Sequence, residues 1–146
     1  MGLTICSNIV FEAFLSSDRL KTLFHSHSFT GNPLACAAAN ASLDLLEKSS
    51  YWKNIQLINQ SHQAWALKHK ENSKFNNIRI CGTIIAFELQ TDEKAGYLNS
   101  KRDYIYQKCL SNGVLLRPLG NTIYILPPYI ISTEELTKIY QVIEAL

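Results

Sequence analysis

No stretch of this chain stays apolar for the roughly 18–20 residues that a helix needs to cross a bilayer, which excludes a helical membrane span. Charge of one sign is also lacking. Lys and Arg number 14 against 12 Asp and Glu, a net charge of +2, with no dense basic cluster, so nucleic acid is not an expected partner. Cys6, Cys36, Cys81 and Cys109 lie far apart and form no CxxC. That spacing argues against a disulfide framework or a cysteine-held metal and makes reduced thiols in a cytoplasmic protein the expectation. The opening MGLTICSNIV has no basic n-region or cleavage pattern, and no signal peptide is read. Paired acidic residues, a nucleophile beside a base, a Gly-rich phosphate loop and internal repeats are all missing.

What is present is ordinary globular material: 47% hydrophobic against 18% charged residues over 146 positions, enough for one domain with a real core. Gly2–Ser7 reads as a short β-like run and Val10–Leu15 as a short helix, followed by a Ser16-Ser17-Asp18 loop. A chain that begins directly in a strand-like run fits either a single domain or a piece of something longer. Asn32-Pro33 is a helix start, because Asn caps free N–H groups and Pro at the first helical position has none to lose. The helix from Leu34 to Glu47 carries small side chains on nearly every face and is expected to be buried. Ser49-Ser50 caps a second helix, with Ile55, Ile58, His62 and Trp65 on one face. His62 and His69 fall at its polar-to-core margin and read as structural.

A polar break at Asn72–Asn77 marks a boundary, giving regions 1–71 and 72–146. IRICGTIIAFEL reads as a single strand with Gly82 as a bulge or bend. Tyr97–Leu110 is an amphipathic helix stopped by Asn112-Gly113. VLLRPLGNTIYILPP reads as two short strands about a Gly120-Asn121 turn. Ser132 and Glu135 form a capping box, with Leu136, Ile139, Tyr140 and Ile143 along one face of a last helix. The second half is thus β-α-β-β-α, a small α+β unit.

Two groupings carry chemistry. The first is FHSHSFTGNPL. Hydroxyls and amides at a helix N-terminus suit an anion, and Ser26, Ser28 and Thr30 could donate to a phosphate, with His27 beside them. Local turn satisfaction by the same residues is the competing reading. Metal binding by His25 and His27 is disfavoured, since alternate residues of an extended chain point apart and no further ligand follows. The second grouping is Arg117 and Tyr124 on the two hairpin strands. An arginine before Pro118 can hold a carboxylate with two parallel hydrogen bonds, or it can be a surface ion pair.

HSHSFTGNPLACAAANASLDLLE and GVLLRPLGNTIYILPPYII together resemble the C-terminal part of class III, fold-type I, pyridoxal-phosphate aminotransferases, over nearly the whole chain. The second stretch points to the branch serving biotin synthesis, which moves an amino group from S-adenosylmethionine to 8-amino-7-oxononanoate. The resemblance implies an α/β fold: a helical remnant of the large domain over 1–71, then a small α+β domain over 72–146. It implies that His27 and Ser28 meet the cofactor phosphate, and that Ser26, at a position usually Gly, meets substrate through its backbone. It makes Arg117 the substrate-carboxylate arginine and Tyr124 a neighbour of the same substrate. It also implies a homodimer whose phosphate loop reaches the partner subunit's cofactor. The Schiff-base lysine of the family has no counterpart here, and Lys21 falls in the wrong element. The chain by itself is therefore expected to be inactive. Two other readings stay open: a non-catalytic split or truncated product acting as an assembly partner, and a different class III specificity.

Overall fold

The computed structural model describes residues 2–146. Two compact units divide at Glu47/Lys48.

In the first unit, helix α1 (Asn8–Phe14) is followed by a single 3-10 turn, Arg19–Lys21, whose first free N–H, that of Leu20, is taken by the Asp18 carboxylate at 3.0 Å. Helix α2 (Pro33–Leu46) starts as expected. The Asn32 side-chain oxygen accepts from the N–H groups of Leu34 at 2.9 Å and Ala35 at 3.1 Å, with proline in the first turn. Gly2–Ser7 is not a strand. A strand needs a ladder partner, and none occurs among the described residues of this unit. The burial expected for α2 is not found either. No residue of it is buried, and Leu34 and Leu43 are exposed, because two helices and a turn offer no second layer to cover them.

The second unit includes α3 (Ser49–Lys68), which buries Ile58, His62 and Trp65 in this unit's core. Ser49 and Ser50 lie inside the first turn and make no capping bond; Lys48 holds the cap position. IRICGTIIAFEL proves to be a hairpin and not one strand. β1 (Phe75–Cys81) and β2 (Ile84–Leu89) pair antiparallel, with Cys81 opposite Ile84, and Gly82 at φ 58 turns the chain between them. β3 (Thr122–Ile125) pairs antiparallel with β2, so the order is β1-β2-β3. α4 (Lys101–Ser111) starts later than Tyr97, since Asn99 is buried as a loop residue: its amide donates to the Lys94 carbonyl, and its oxygen accepts the Lys101 N–H. α5 (Thr133–Glu144) opens with the full Ser132–Glu135 capping box. The observed order is β-β-α-β-α.

Ile85, Phe87, Ile123 and Ile125 fill one sheet face, paired Ile85 to Ile125 and Phe87 to Ile123. They share one core with α3, with Ile105 and Cys109 of α4, and with Leu136 and Ile143 of α5. Each fully buried aliphatic side chain contributes about 1.5–3 kcal/mol before entropy is counted.

His62 of α3 and His69, which caps its C-terminus, are both buried. His62 Nε2 donates to the Thr83 carbonyl at 3.0 Å, which leaves Nδ1 to accept the Tyr140 hydroxyl at 2.7 Å. His69 Nε2 meets the Glu144 carboxylate at 2.7 Å, and the same oxygen accepts from Lys68 Nζ at 3.0 Å and Trp65 Nε1 at 3.1 Å. Burial depresses the His62 pKa; the Thr83 carbonyl acts the other way and is outweighed. Glu144 is partly desolvated, which raises its pKa, but the bonds from Lys68 and His69 prevail and hold it below the usual carboxylate range.

A pH dependence follows. With the folded His62 pKa below its ordinary value of 6.5, the unfolded chain binds the proton more readily. The contribution is full above 6.5 and is lost as pH falls through the depressed value. Glu144 acts in the same sense below 4.5. The urea midpoint of the chain should drop between neutral pH and about pH 5, and His62→Gln should flatten that drop. An equal slope in the variant would assign the drop elsewhere.

Candidate functional site

The polar loop before α2 is exposed throughout, including Ser26, His27 and Ser28. Thr30 spends its hydroxyl locally: Oγ1 accepts the His27 N–H at 3.0 Å, and the Thr30 N–H returns a bond to the His27 carbonyl at 2.9 Å. The Asn32 N–H closes onto the Phe29 carbonyl at 3.2 Å, with Gly31 at φ 72 making the left-handed step. The His27 ring stacks on Phe29 at 5.3 Å and meets the His25 ring edge-on at 5.8 Å. Turn satisfaction therefore accounts for Thr30 and the His27 amide, and Asn32 occupies the first N–H groups of α2. Among the described residues, the hydroxyls of Ser26 and Ser28 have no hydrogen-bond partner and remain free to donate. No group of three metal-ligating side chains exists among the described residues, His25 and His27 included.

Arg117 and Tyr124 lie in the second unit, on either side of the Gly120-Asn121 turn. The turn is as expected, but only its second arm is a strand. Val114–Pro118 makes no ladder, and the contact is a single bridge: Leu119 and Thr122 exchange two bonds, of 2.9 and 3.0 Å. Pro118 has no N–H to extend it. Burial nonetheless alternates as on a strand, with Val114, Leu116 and Pro118 buried and Leu115 and Arg117 exposed. Arg117 precedes the bridge by two residues and Tyr124 follows it by two, and both alternate in burial with the buried Leu116, Pro118, Ile123 and Ile125. Among the described residues no carboxylate lies within ion-pair distance of Arg117, although Lys68, His69, Arg79 and Arg102 each have one. Arg117 is thus an exposed planar donor without an acidic partner among the described residues, and Tyr124 on β3 is half-buried.

Reading the sequence placed Asn121 in the turn but did not single it out. It is 2% exposed, and its side chain accepts the Gly96 N–H at 2.9 Å and donates to the Leu89 carbonyl at 2.9 Å. Its own carbonyl accepts the Leu89 N–H at 2.9 Å. The signal available was an Asn in a two-residue turn, but nothing local shows that such an Asn points inward.

Residues 1–146 match the family described as Aminotransferase class-III. The chain is 36% identical over 143 residues to the adenosylmethionine-8-amino-7-oxononanoate aminotransferase of Synechococcus elongatus, covering 98% of this chain and 33% of that protein. It is 40% identical over 124 residues to the enzyme of that name from Helicobacter pylori, covering 81% and 27%. The crystal structure of the adenosylmethionine-8-amino-7-oxononanoate aminotransferase of Methanocaldococcus jannaschii superposes with a TM-score of 0.71 at 33% identity, over 86% of this chain and 30% of that one. An (S)-enantioselective omega-transaminase from Thermomicrobium roseum, at 23% identity, shares the fold with a TM-score of 0.80 over 95% of this chain and 32% of that one. The chain spans about a third of the length of the curated relatives it matches. With the match running from end to end, this chain belongs to the class-III aminotransferase family.

Proposed function

We propose that the chain is the C-terminal part of an aminotransferase that moves an amino group from S-adenosylmethionine to 8-amino-7-oxononanoate in biotin synthesis. The printed names of the relatives support that branch. The observation that carries the reading is Arg117, exposed and, among the described residues, free of acidic partners, on the arm of the turn opposite the one that carries Tyr124. In this reading its guanidinium holds the carboxylate of the oxo acid by two parallel bonds, and Tyr124 packs or donates beside the same substrate. Residues 1–71 are the large-domain remnant and 72–146 the small domain, with α3 packed on the latter.

The family works with pyridoxal phosphate, which serves as an electron sink for the amino group's transfer. The loop fits the phosphate end of that group. The Ser28 hydroxyl is free to donate, and the His27 amide would join it once released from Thr30; Ser26 meets substrate through its backbone. In a homodimer the loop serves the partner subunit's cofactor. The aldehyde end finds no fit here, because no lysine among the described residues is buried, and no step is assigned to this chain there. That same observation favours a second reading, an assembly partner without catalytic activity of its own.

The test is a complete enzyme carrying this chain, given S-adenosylmethionine and 8-amino-7-oxononanoate. Turnover of that pair is expected. Turnover of ornithine with no turnover of this pair would move the chain to another class III specificity.

A further inference from the structure

We propose that Asn121 is a positioning residue for the carboxylate site, acting through the turn that joins the Arg117 segment to the strand carrying Tyr124 and brings the two side chains together; this rests on the reading of Arg117 given above. The turn has only two flanking hydrogen bonds, between Leu119 and Thr122, and no ladder beyond them toward Arg117. So short a hairpin does not hold its own register. Asn121 supplies what is missing. Its side chain, 2% exposed, is bonded on both sides, to the Gly96 N–H and the Leu89 carbonyl, each at 2.9 Å. Its backbone carbonyl takes the Leu89 N–H at 2.9 Å, extending β2 by one bond into the turn. Three bonds thus nail the turn to the end of β2 and to the loop at Gly96.

Gly120 adds a steric stop. Its α-carbon lies so near the Gly96 carbonyl that a Cβ would overlap it. The turn is thus packed main chain against main chain on the loop at Gly96, and the three bonds of Asn121 hold it there. A slip of one residue would carry Arg117 to the opposite side of its segment. Asn121 itself faces the core and touches no substrate, so its effect reaches the carboxylate only through Arg117.

The first measurement uses the full chain. NMR should show nuclear Overhauser contacts between the Arg117 side chain and the Tyr124 ring. In Asn121→Ala these should weaken or vanish, while contacts between Phe87 and Ile123, paired across β2 and β3, persist. Absence of the Arg117–Tyr124 contacts in the wild type, or their survival in the variant, overturns the proposal.

The second uses the complete enzyme and two acceptors, the oxo acid and a carboxylate-free methyl ketone of the same chain length. Asn121→Ala should lower kcat/KM for the oxo acid about tenfold, through KM, and leave the ketone within about twofold. In an Arg117→Ala background Asn121→Ala should then cost nothing further. Equal losses on both acceptors make Asn121 merely structural and overturn the proposal while the reading of Arg117 stands. If Arg117→Ala alone costs nothing with the oxo acid, that reading fails first and takes this proposal with it. Should Asn121→Ala fail to fold, Asn121→Ser is measured in its place. Failure of both to fold makes Asn121 a folding residue and also overturns the proposal.

Discussion

Gly120→Ala is expected to destabilise the second unit by about 3 kcal/mol or more. Two costs add at this position. Its φ of +62 lies in the left-handed region, which a side chain enters only with strain. The new Cβ would also overlap the carbonyl of Gly96 and crowd the backbone of Tyr97. Those neighbours are main chain, and the Gly96 N–H is itself held by Asn121, so they cannot swing aside as the end of a flexible side chain would. The urea midpoint followed by far-UV circular dichroism should fall by a large fraction of the total. Gly82→Ala is the control. It carries the same kind of positive φ, +58, with nothing within 4 Å of the added carbon, and should cost only about 1 kcal/mol. Equal losses at the two glycines would remove the close approach of Gly120 and Gly96 from the account.

Mixed with pyridoxal phosphate and reduced with borohydride, the isolated chain is expected to show no single stoichiometrically modified lysine. A lysine becomes a specific carbonyl nucleophile when burial or a neighbouring cation keeps its amine neutral. No lysine among the described residues is buried. Lys68 Nζ is bound to the Glu144 carboxylate and Lys74 Nζ to the Glu144 carbonyl, so neither amine is free of a partner. Peptide mapping should find low, scattered labelling over several surface lysines and no transaminase activity in the same sample. One lysine labelled to completion would contradict both the assignment by resemblance and the division of roles proposed here.

The parts of this fold legible in the sequence were those fixed by contacts a few residues apart. Asn32 before Pro33, and Ser132 with Glu135, each satisfy helix N–H groups within their own turn, so both helix starts could be read from their caps. The face of α5 was legible for the same reason, since Leu136 and Ile143 recur at helical spacing and are buried. What could not be read depends on distant partners. Gly82 signals a bulge and a hairpin turn alike, and only the pairing of β1 with β2 decides between them. Val114–Pro118 has strand composition and alternation but finds no ladder. The start of α4 is set by Asn99 reaching back to Lys94, and the burial of Asn121 by a strand end far from it in sequence. In the candidate site, Arg117 and Ser28 are singled out by residue type and neighbours alone. That Thr30 and Asn32 already occupy the nearby amides was not legible, because a turn and an anion site use the same residue types.

The proposed hold of Arg117 on a substrate carboxylate is tested most directly by one comparison: kcat/KM for 8-amino-7-oxononanoate in a complete enzyme carrying Arg117, Arg117→Ala or Arg117→Lys, with the thermal midpoint of each. A charge-assisted pair of hydrogen bonds contributes about 1.5–3 kcal/mol, so Arg117→Ala should lose roughly one to two orders of magnitude. Lysine should restore only part of this, since a point charge cannot copy the two-pronged geometry. The midpoint should hardly move, because an exposed arginine without an acidic partner leaves no buried charge behind. Unchanged kcat/KM in Arg117→Ala, or unfolding of the variant with an unaltered KM in the surviving fraction, would contradict the account.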